Sequence, residues 1–164
     1  MTFEEVQKLV LEDEGRRLEL KKSTGELKDG MHSACALLNS NGGYLLFGIT
    51  PKSLKVVGQQ VTDATKREIA QAISGLEPAI DVKVDYIDVP NSTGNKVVVM
   101  YFDGWVWGKP PYTYHGRPYY KPESITKQMP REMFEERLKA AKPHLFGWEN
   151  QIADEYSISD LSEK

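Results

Sequence analysis

Two groups of basic residues are the features of this sequence whose types and spacing could do chemistry. The first lies between positions 16 and 22 and consists of Arg16, Arg17, Lys21 and Lys22. The second lies between positions 105 and 127, where the cations are interleaved with tryptophans and tyrosines: Lys109, Arg117, Lys121 and Lys127. Such cations bind the phosphates of a nucleic acid, and aromatic rings stack on the bases of single strands. The alternative is that the cations are ordinary solvated surface and that the rings fill a core layer or an interface.

The other reactive side chains form no recognisable catalytic or metal-binding pattern. The three histidines are scattered without a common ligand spacing: His32, His115 and His144. The single cysteine, Cys35, lies on the apolar face of a predicted helix, which favours a core position. A phosphate-binding loop follows a strand and opens a helix, whereas Gly42 and Gly43 close a helix and open a strand. We therefore expect a helix cap and a tight turn at Asn39–Gly43.

Composition and charge limit the classes of protein that fit the sequence. With 40% hydrophobic and 27% charged residues, it is typical of a globular domain rather than a disordered chain. No run approaches the roughly 20 apolar residues of a membrane-spanning helix, so we expect a cytoplasmic protein with no membrane partner. The net charge of −3 is uneven, because the last segment, Glu149 to Lys164, is strongly acidic. The overall acidity therefore does not exclude a local basic face.

Four helices are predicted from capping residues and from apolar residues at helical spacing. The first helix begins at the capping box of Thr2 and Glu5. The second spans about Asp29–Asn39, the third spans Thr62–Leu76, and the fourth runs from Pro130 to just before Pro143. We expect one domain over residues 1–143. The acidic segment 144–164 is predicted to start a further region, because Ser157 to Lys164 resembles the start of a helix.

Strand patterns lie between these helices. The alternation in Arg16–Lys21 turns Leu18 and Leu20 toward the core and places Glu19 on the other face, where we expect it to pair with Lys21 or Arg17 at the sheet surface. Further strands are predicted at 44–49 and 56–57, in a hairpin of 82–89 with 96–102, and in a pair of 112–114 with 118–121 around a His115-Gly116 turn. The sequence thus predicts an α/β (α+β) fold in which a mixed β-sheet is combined with about four helices.

Four segments, in this order, resemble the Schlafen-AlbA domain, also described as a divergent AAA domain of transcriptional regulators. They are Glu14-Gly-Arg-Arg-Leu-Glu19-Leu-Lys21, Cys35 through Ile49 with Asn39 and Gly42-Gly43, Val56-Val57-Gly58, and Pro111 through Ser124 with Tyr119-Tyr120-Lys121. Together they span about residues 14–138. The resemblance implies a single domain that binds nucleic acid, and it makes Lys21 and Lys121 the better candidates for phosphate contacts.

The resemblance also implies an alternative activity. Some animal Schlafens resemble metal-dependent RNA endonucleases whose acidic site has two glutamates and one aspartate. Glu14 and Glu19 match the two glutamates, but the segment where the aspartate would fall, Gly48-Ile49-Thr50-Pro51, has no carboxylate. Because such an enzyme needs several oxygen ligands, Mg²⁺ or Mn²⁺ is expected only under this alternative.

We therefore expect a non-catalytic DNA- or RNA-binding domain, N-terminal in a prokaryotic transcriptional regulator, without a resident metal or cofactor. Its phosphate contacts would be Arg16, Arg17, Lys21, Lys22, Arg117 and Lys121. The first alternative is an endoribonuclease that uses Glu14 and Glu19. The second is an oligomerisation or ligand-sensing module, in which Trp105 and Trp107 contact a second subunit or another partner. Burial of these two tryptophans on the protein's own core is an equally good interpretation of their spacing.

Overall fold

The computed structural model describes residues 1–12 and 15–145. Glu14 and the predicted helix start at Ser157 lie outside the described residues. The described chain contains four α-helices, which confirms that prediction: α1 (Phe3–Val10), α2 (Leu27–Leu38), α3 (Asp63–Ile73) and α4 (Arg131–Leu145). A short 3₁₀ turn, Thr24–Glu26, precedes α2. The ten strands are β1 (Leu18–Lys21), β2 (Gly43–Phe47), β3 (Ile49–Thr50), β4 (Lys55–Val56), β5 (Leu76–Glu77), β6 (Val84–Asp88), β7 (Lys96–Phe102), β8 (Thr113–Tyr114), β9 (Tyr119–Tyr120) and β10 (Lys127–Gln128).

The chain divides into two units. The larger consists of Met1–Trp105 and Tyr112–Gln128 and contains all ten strands with α1, α2 and α3. The smaller consists of Val106–Pro111 and the chain from Met129 onward, and it contains α4. This helix continues through Pro143, so the prediction that it ends before that proline is wrong. Pro143 falls in the last turn of α4, where a missing N–H disturbs few of the preceding hydrogen bonds.

The central sheet is mixed, as the sequence predicts. Its strand order is β1-β2-β7-β6, with β1 parallel to β2 and the other neighbours antiparallel. β6 and β7 form the expected hairpin, in which Val84 lies opposite Met100 and Asp88 opposite Lys96. The parallel pair β1–β2 is joined by α2, since a parallel connection needs a crossover element.

Both faces of this sheet are covered. Alternate residues of β2 and β7 divide between two buried clusters, because side chains alternate across a strand. Leu45, Phe47 and Met100 pack with residues of α2 in one cluster. The second cluster contains residues of α1, β1 and the opposite sides of β2 and β7: Val6, Val10, Leu18, Leu20, Leu46, Val97 and Val99. Residues of β1 therefore have a buried environment on either side of the sheet.

The close approach of β1 to β2 requires glycine at the start of β2. Gly43 has φ +141°, and a Cβ at this position would lie 2.0 Å from the carbonyl oxygen of Arg17. No side chain fits there without moving the backbone of Arg17, just before β1. Gly43 is thus needed for the register that places Leu18 opposite Tyr44.

The predicted pairing of 112–114 with 118–121 is mostly wrong. His115 and Gly116 do form a turn with positive φ angles, as expected. However, only a single bridge, Tyr114 with Arg117, joins the two sides. β8 pairs instead with β5, which lies more than 35 positions earlier in the chain, and β9 pairs with β10, which follows it.

Asn39 holds the 112–119 segment against the end of α2. Its buried side-chain amide nitrogen donates to the carbonyl oxygens of Tyr112 (2.8 Å) and Tyr119 (2.7 Å). Its amide oxygen accepts the Tyr112 backbone N–H at 2.7 Å. Asn39 is also the C-cap of α2, as expected, and Gly42 donates its N–H back to Leu37. One buried side chain therefore forms hydrogen bonds with three backbone groups of this segment.

We expect Asn39→Ala to lower the free energy of unfolding by about 3 kcal/mol, because it removes three hydrogen bonds and leaves buried backbone groups unsatisfied. Urea denaturation monitored by tryptophan fluorescence measures this change. Asn41→Ala, at an exposed position two residues away, is the matched control and should cost less than about 0.5 kcal/mol. Equal costs for the two substitutions would contradict the role assigned to Asn39.

Candidate functional site

The candidate site is built around a buried ion pair. The ammonium group of Lys121, whose side chain has no exposed surface, lies 2.8 Å from Oε1 of Glu19. It also donates to the carbonyl oxygen of Leu18 at 3.4 Å, and the backbone N–H of Lys121 donates to Ser40 Oγ at 2.8 Å. A buried charge is tolerated only when it is paired and hydrogen-bonded. Lys121 thus ties the segment after β9 to strand β1.

A second lysine approaches the same carboxylate from the other side. Nζ of Lys21 lies 3.9 Å from Oε2 of Glu19 and 2.7 Å from Oδ2 of Asp29, in the first turn of α2. The alternation in β1 explains this geometry, because Glu19 and Lys21 share the face that α2 covers. Both carboxylate oxygens of Glu19 therefore have an ammonium neighbour.

The environment of Glu19 differs from the sequence-based expectation. We predicted that it pairs with Lys21 or Arg17 at the sheet surface, and the pair with Lys21 is present. Glu19 is nevertheless only 7% exposed, because α2 and the 112–128 segment cover this side of β1. Its shortest ion pair is with Lys121, which is 102 positions away in the sequence.

A polar cleft of about 310 Å³ opens beside this ion pair. It is bordered by residues of β1, α2 and the β9–β10 hairpin: Glu19, Lys21, Asp29, His32, Ser33, Tyr119, Thr126, Lys127 and Gln128. The rings of His32 and Tyr119 are stacked, with centroids 4.4 Å apart and planes inclined by 19°. The cleft thus contains planar rings, hydrogen-bond donors and acceptors, and side chains of both charge signs.

The pKa of His32 is lowered from its ordinary value, mainly because burial disfavours the charged imidazolium. Asp29 opposes this effect, while Lys28, Arg117 and His115 add to it. His32 is therefore a neutral ring at pH 7, suited to stacking rather than to anion binding.

Within the larger unit, the structure brings residues of the two basic groups together. Arg16, Arg17, Lys22 and Arg117 are exposed, and Lys21 is half-buried. Nη2 of Arg16 donates to the carbonyl oxygen of Pro122 at 3.1 Å, which joins the segment before β1 to the segment after β9. Lys121 is the exception among the predicted phosphate contacts: its ammonium is buried against Glu19, so a phosphate could reach it only if that ion pair opened.

The geometry around the acidic residues bears on metal binding. Within residues 1–12 and 15–145, no group of three or more His, Cys, Asp or Glu side chains is arranged to hold a metal ion. Thr50, where the resemblance would place the third carboxylate, is half-buried in β3. Glu14 is not among the described residues, so the predicted Glu14–Glu19 pair has no described geometry.

The two tryptophans lie in an irregular segment, as expected. Trp105 is half-buried, and its backbone N–H donates to the carbonyl oxygen of Ser40 at 3.0 Å. Trp107 is 65% exposed, and Val106 between them is 59% exposed. Their contact with another subunit stays a prediction.

Sequence reasoning missed several residues that border the cleft. Asp29 and His32 lie one turn apart in α2, whereas Thr126 lies nearly 100 positions later, just before β10, so no local spacing connects all three. His32 and Tyr119 were each visible as an aromatic or titratable residue, but nothing in the sequence indicated that their rings stack. Only the pairing of β9 with β10 brings Gln128 opposite Tyr119.

The fold and the site define a class of protein: an α+β domain with a mixed sheet, in which a strand carrying the Leu-Glu-Leu-Lys motif is bound to a Tyr-Tyr-Lys segment by a buried ion pair. The family model described as Schlafen, AlbA_2 matches residues 14–130. The chain belongs to the Schlafen AlbA_2 family, as the sequence motifs predict. At the level of the family, this membership supports a nucleic-acid-related function.

Comparison with solved structures gives a weaker likeness. The crystal structure of the DIP2311 protein from Corynebacterium diphtheriae is similar with a TM-score of 0.49 and 17% sequence identity. The match covers 77% of this chain and 24% of that chain, so this chain spans about a quarter of that protein's length. No curated protein matches this chain. Among the described residues, no helix is both long enough and apolar enough to cross a membrane.

Cys35 belongs to the core and not to the site, as its sequence position indicates. Its side chain has no exposed surface, and its Sγ lies 3.5 Å from the carbonyl oxygen of Tyr112. Burial raises the pKa of the thiol to about 11, because a thiolate would be poorly solvated there.

We expect Cys35 to resist thiol reagents in the folded protein, since both the raised pKa and burial suppress the thiolate. Labelling by a disulfide reagent at pH 8 should therefore proceed at the rate of unfolding and accelerate with urea. Stability should also fall as pH rises from about 9 toward 11, because the thiol of the unfolded chain ionises first. Rapid labelling without denaturant would contradict the buried placement.

Proposed function

We propose that this domain binds nucleic acid without cleaving it and serves as the N-terminal, DNA- or RNA-binding part of a prokaryotic transcriptional regulator. The observation that carries this proposal is the hydrogen bond from Arg16 to the carbonyl oxygen of Pro122. It joins two basic segments that are about 100 positions apart in the sequence. Family membership at residues 14–130 supports the same class of partner.

The charges around this junction favour an anionic partner. Arg16, Arg17, Lys22 and Arg117 are exposed, so their charges are available to phosphates. The nearby carboxylate of Glu19 is already neutralised by two ammonium groups. The junction thus presents several exposed cations beside an acid that is already paired, despite the overall charge of −3.

The non-catalytic part of the proposal rests on Glu19. A carboxylate that coordinates a catalytic metal ion must offer its lone pairs to that ion. Here Oε1 of Glu19 is 2.8 Å from Lys121 and Oε2 is 3.9 Å from Lys21. These ammonium groups compete with a cation for the same oxygens, which favours a structural role for Glu19.

The double charge reversal Arg17→Glu with Arg117→Glu is expected to weaken nucleic-acid binding by about tenfold or more at moderate salt. Two phosphate contacts would be lost, so the slope of log K against log salt should become shallower by about 2. Fluorescence anisotropy with a labelled oligonucleotide, titrated over several salt concentrations, measures both quantities.

The matched control is Lys83→Glu, an exposed reversal just before β6, at the opposite edge of the sheet from β1. It should leave the salt slope unchanged. If the control weakens binding as much as the double reversal, the interface is misplaced. If the unmodified protein binds neither DNA nor RNA, the proposed function is wrong.

The nuclease alternative is tested in the same samples. We expect labelled RNA incubated with the protein and Mn²⁺ to stay intact, as it does with EDTA. If shortened RNA appears only with the metal, and if the Glu19→Gln variant does not produce it, the function is RNA cleavage rather than binding alone.

A further inference from the structure

The polar cleft beside Glu19 is bordered by Lys21, one of the predicted phosphate contacts, and its other lining residues suit a small ligand. One side is formed by Asp29 and His32 of α2, and the other by Tyr119, Thr126 and Gln128 of the β9–β10 hairpin. Its volume of about 310 Å³ lies at the lower end of the range of small-ligand sites, roughly 300–1,000 Å³. That is room for one planar ring system with an attached sugar, not for a helix or a duplex.

The charges of the cleft disfavour a bare phosphate. The side chain of Asp29 is 69% exposed, and Glu19 borders the same space. Lys21 is already paired with both carboxylates, so a phosphate would have to compete with them for its ammonium group. A neutral group with both donors and acceptors on its edge fits this mixture better. A nucleobase has such an edge.

The stacked rings provide a platform for such a base. His32 and Tyr119 lie nearly parallel at 4.4 Å, and both border the cleft. Gln128 lies opposite Tyr119 in the antiparallel β9–β10 pair, so its exposed amide is beside the ring. Stacking on aromatic rings, together with an amide at the base edge, is how single-stranded bases are held.

Thr126 supplies an independent observation. Its Oγ1 is buried and has no hydrogen-bond partner, and within the described parts of the chain no other buried side-chain oxygen or nitrogen is in this state. Because this hydroxyl has no partner, rotation of the side chain breaks no hydrogen bond. It can therefore turn toward a ligand in the cleft and gain a hydrogen bond that it lacks without the ligand.

We propose that this cleft holds one unstacked nucleobase, so that the domain binds single-stranded nucleic acid in preference to duplex. The base stacks beside Tyr119 and His32, and its edge is bound by Thr126 and Gln128. The flanking phosphates then lie near the exposed cations Lys127 and Arg117. This inference rests on the proposed nucleic-acid binding and specifies the form of the partner.

The test uses the full chain with a fluorescein-labelled 12-nucleotide DNA of mixed sequence, single-stranded or annealed to its complement. We expect the single strand to bind at least tenfold more tightly than the duplex. Each adenine of the single strand is also replaced singly by the fluorescent base 2-aminopurine. The fluorescence should change when the replaced base is the one that enters the cleft, because that base no longer stacks on its neighbours in the strand. Equal affinity for the two forms would overturn the proposal while leaving nucleic-acid binding intact.

Thr126→Val separates ligand binding from a structural role. It should weaken single-strand binding by about fivefold, the loss expected for one hydrogen bond, with an unchanged salt slope. It should also raise Tm slightly, because the buried unpartnered hydroxyl is removed. Thr93→Val, in the exposed β6–β7 loop, is the matched control and should alter neither quantity.

Two results of this comparison would overturn the cleft assignment. One is an affinity of Thr126→Val equal to that of Thr93→Val. The other is an equal loss of duplex and single-strand affinity, which would place Thr126 outside base recognition. If neither form of DNA nor the corresponding RNA binds the unmodified protein, the proposed function fails and the cleft assignment fails with it.

Discussion

The buried ammonium of Lys121 is the constraint on which the arrangement of the site depends. A charge without exposed surface must be paired, and here its partner is Glu19 on the edge strand β1. The carbonyl oxygen of Leu18 binds the same ammonium. The segment that follows β9 therefore lies beside β1, and Arg16 is within hydrogen-bond distance of the carbonyl oxygen of Pro122. This ion pair, together with the hydrogen bond from the backbone N–H of Lys121 to Ser40, therefore fixes the two basic segments relative to each other.

The proposed function depends on how this pair divides the charges. The buried lysine neutralises the acid of β1, and the exposed arginines beside it remain available to phosphates. Asn39 contributes from the other side, since it holds the backbone of Tyr112 and Tyr119 against the end of α2. Tyr119 is then in position to stack on His32. The two most buried polar side chains of this region, Asn39 and Lys121, thus position the exposed groups of the proposed interface.

Local patterns predicted much of the fold and less of the site. Alternation identified Leu18 and Leu20 as core residues and the β6–β7 hairpin as a pair, because these depend on neighbouring positions. The predicted partner of β8 was wrong because its true partner, β5, lies far away in the sequence. For the same reason, the burial of Lys121 could not be predicted: a Tyr-Tyr-Lys segment has the same local pattern whether its lysine faces solvent or a distant glutamate. The stacking of His32 on Tyr119 likewise depends on two elements that only the tertiary fold brings together.

The measurement that tests this account most directly is a double-mutant cycle for Glu19→Gln and Lys121→Met, followed by urea denaturation. Glu19→Gln leaves the buried ammonium of Lys121 without a carboxylate, and Lys121→Met leaves Glu19 with only the more distant ammonium of Lys21. Each single substitution should therefore lower the free energy of unfolding by about 3–5 kcal/mol. The double variant removes both charges, so its loss should fall short of the combined single losses by about 2 kcal/mol or more. Losses that add to within about 0.5 kcal/mol would contradict the account, because the two residues would then be energetically independent.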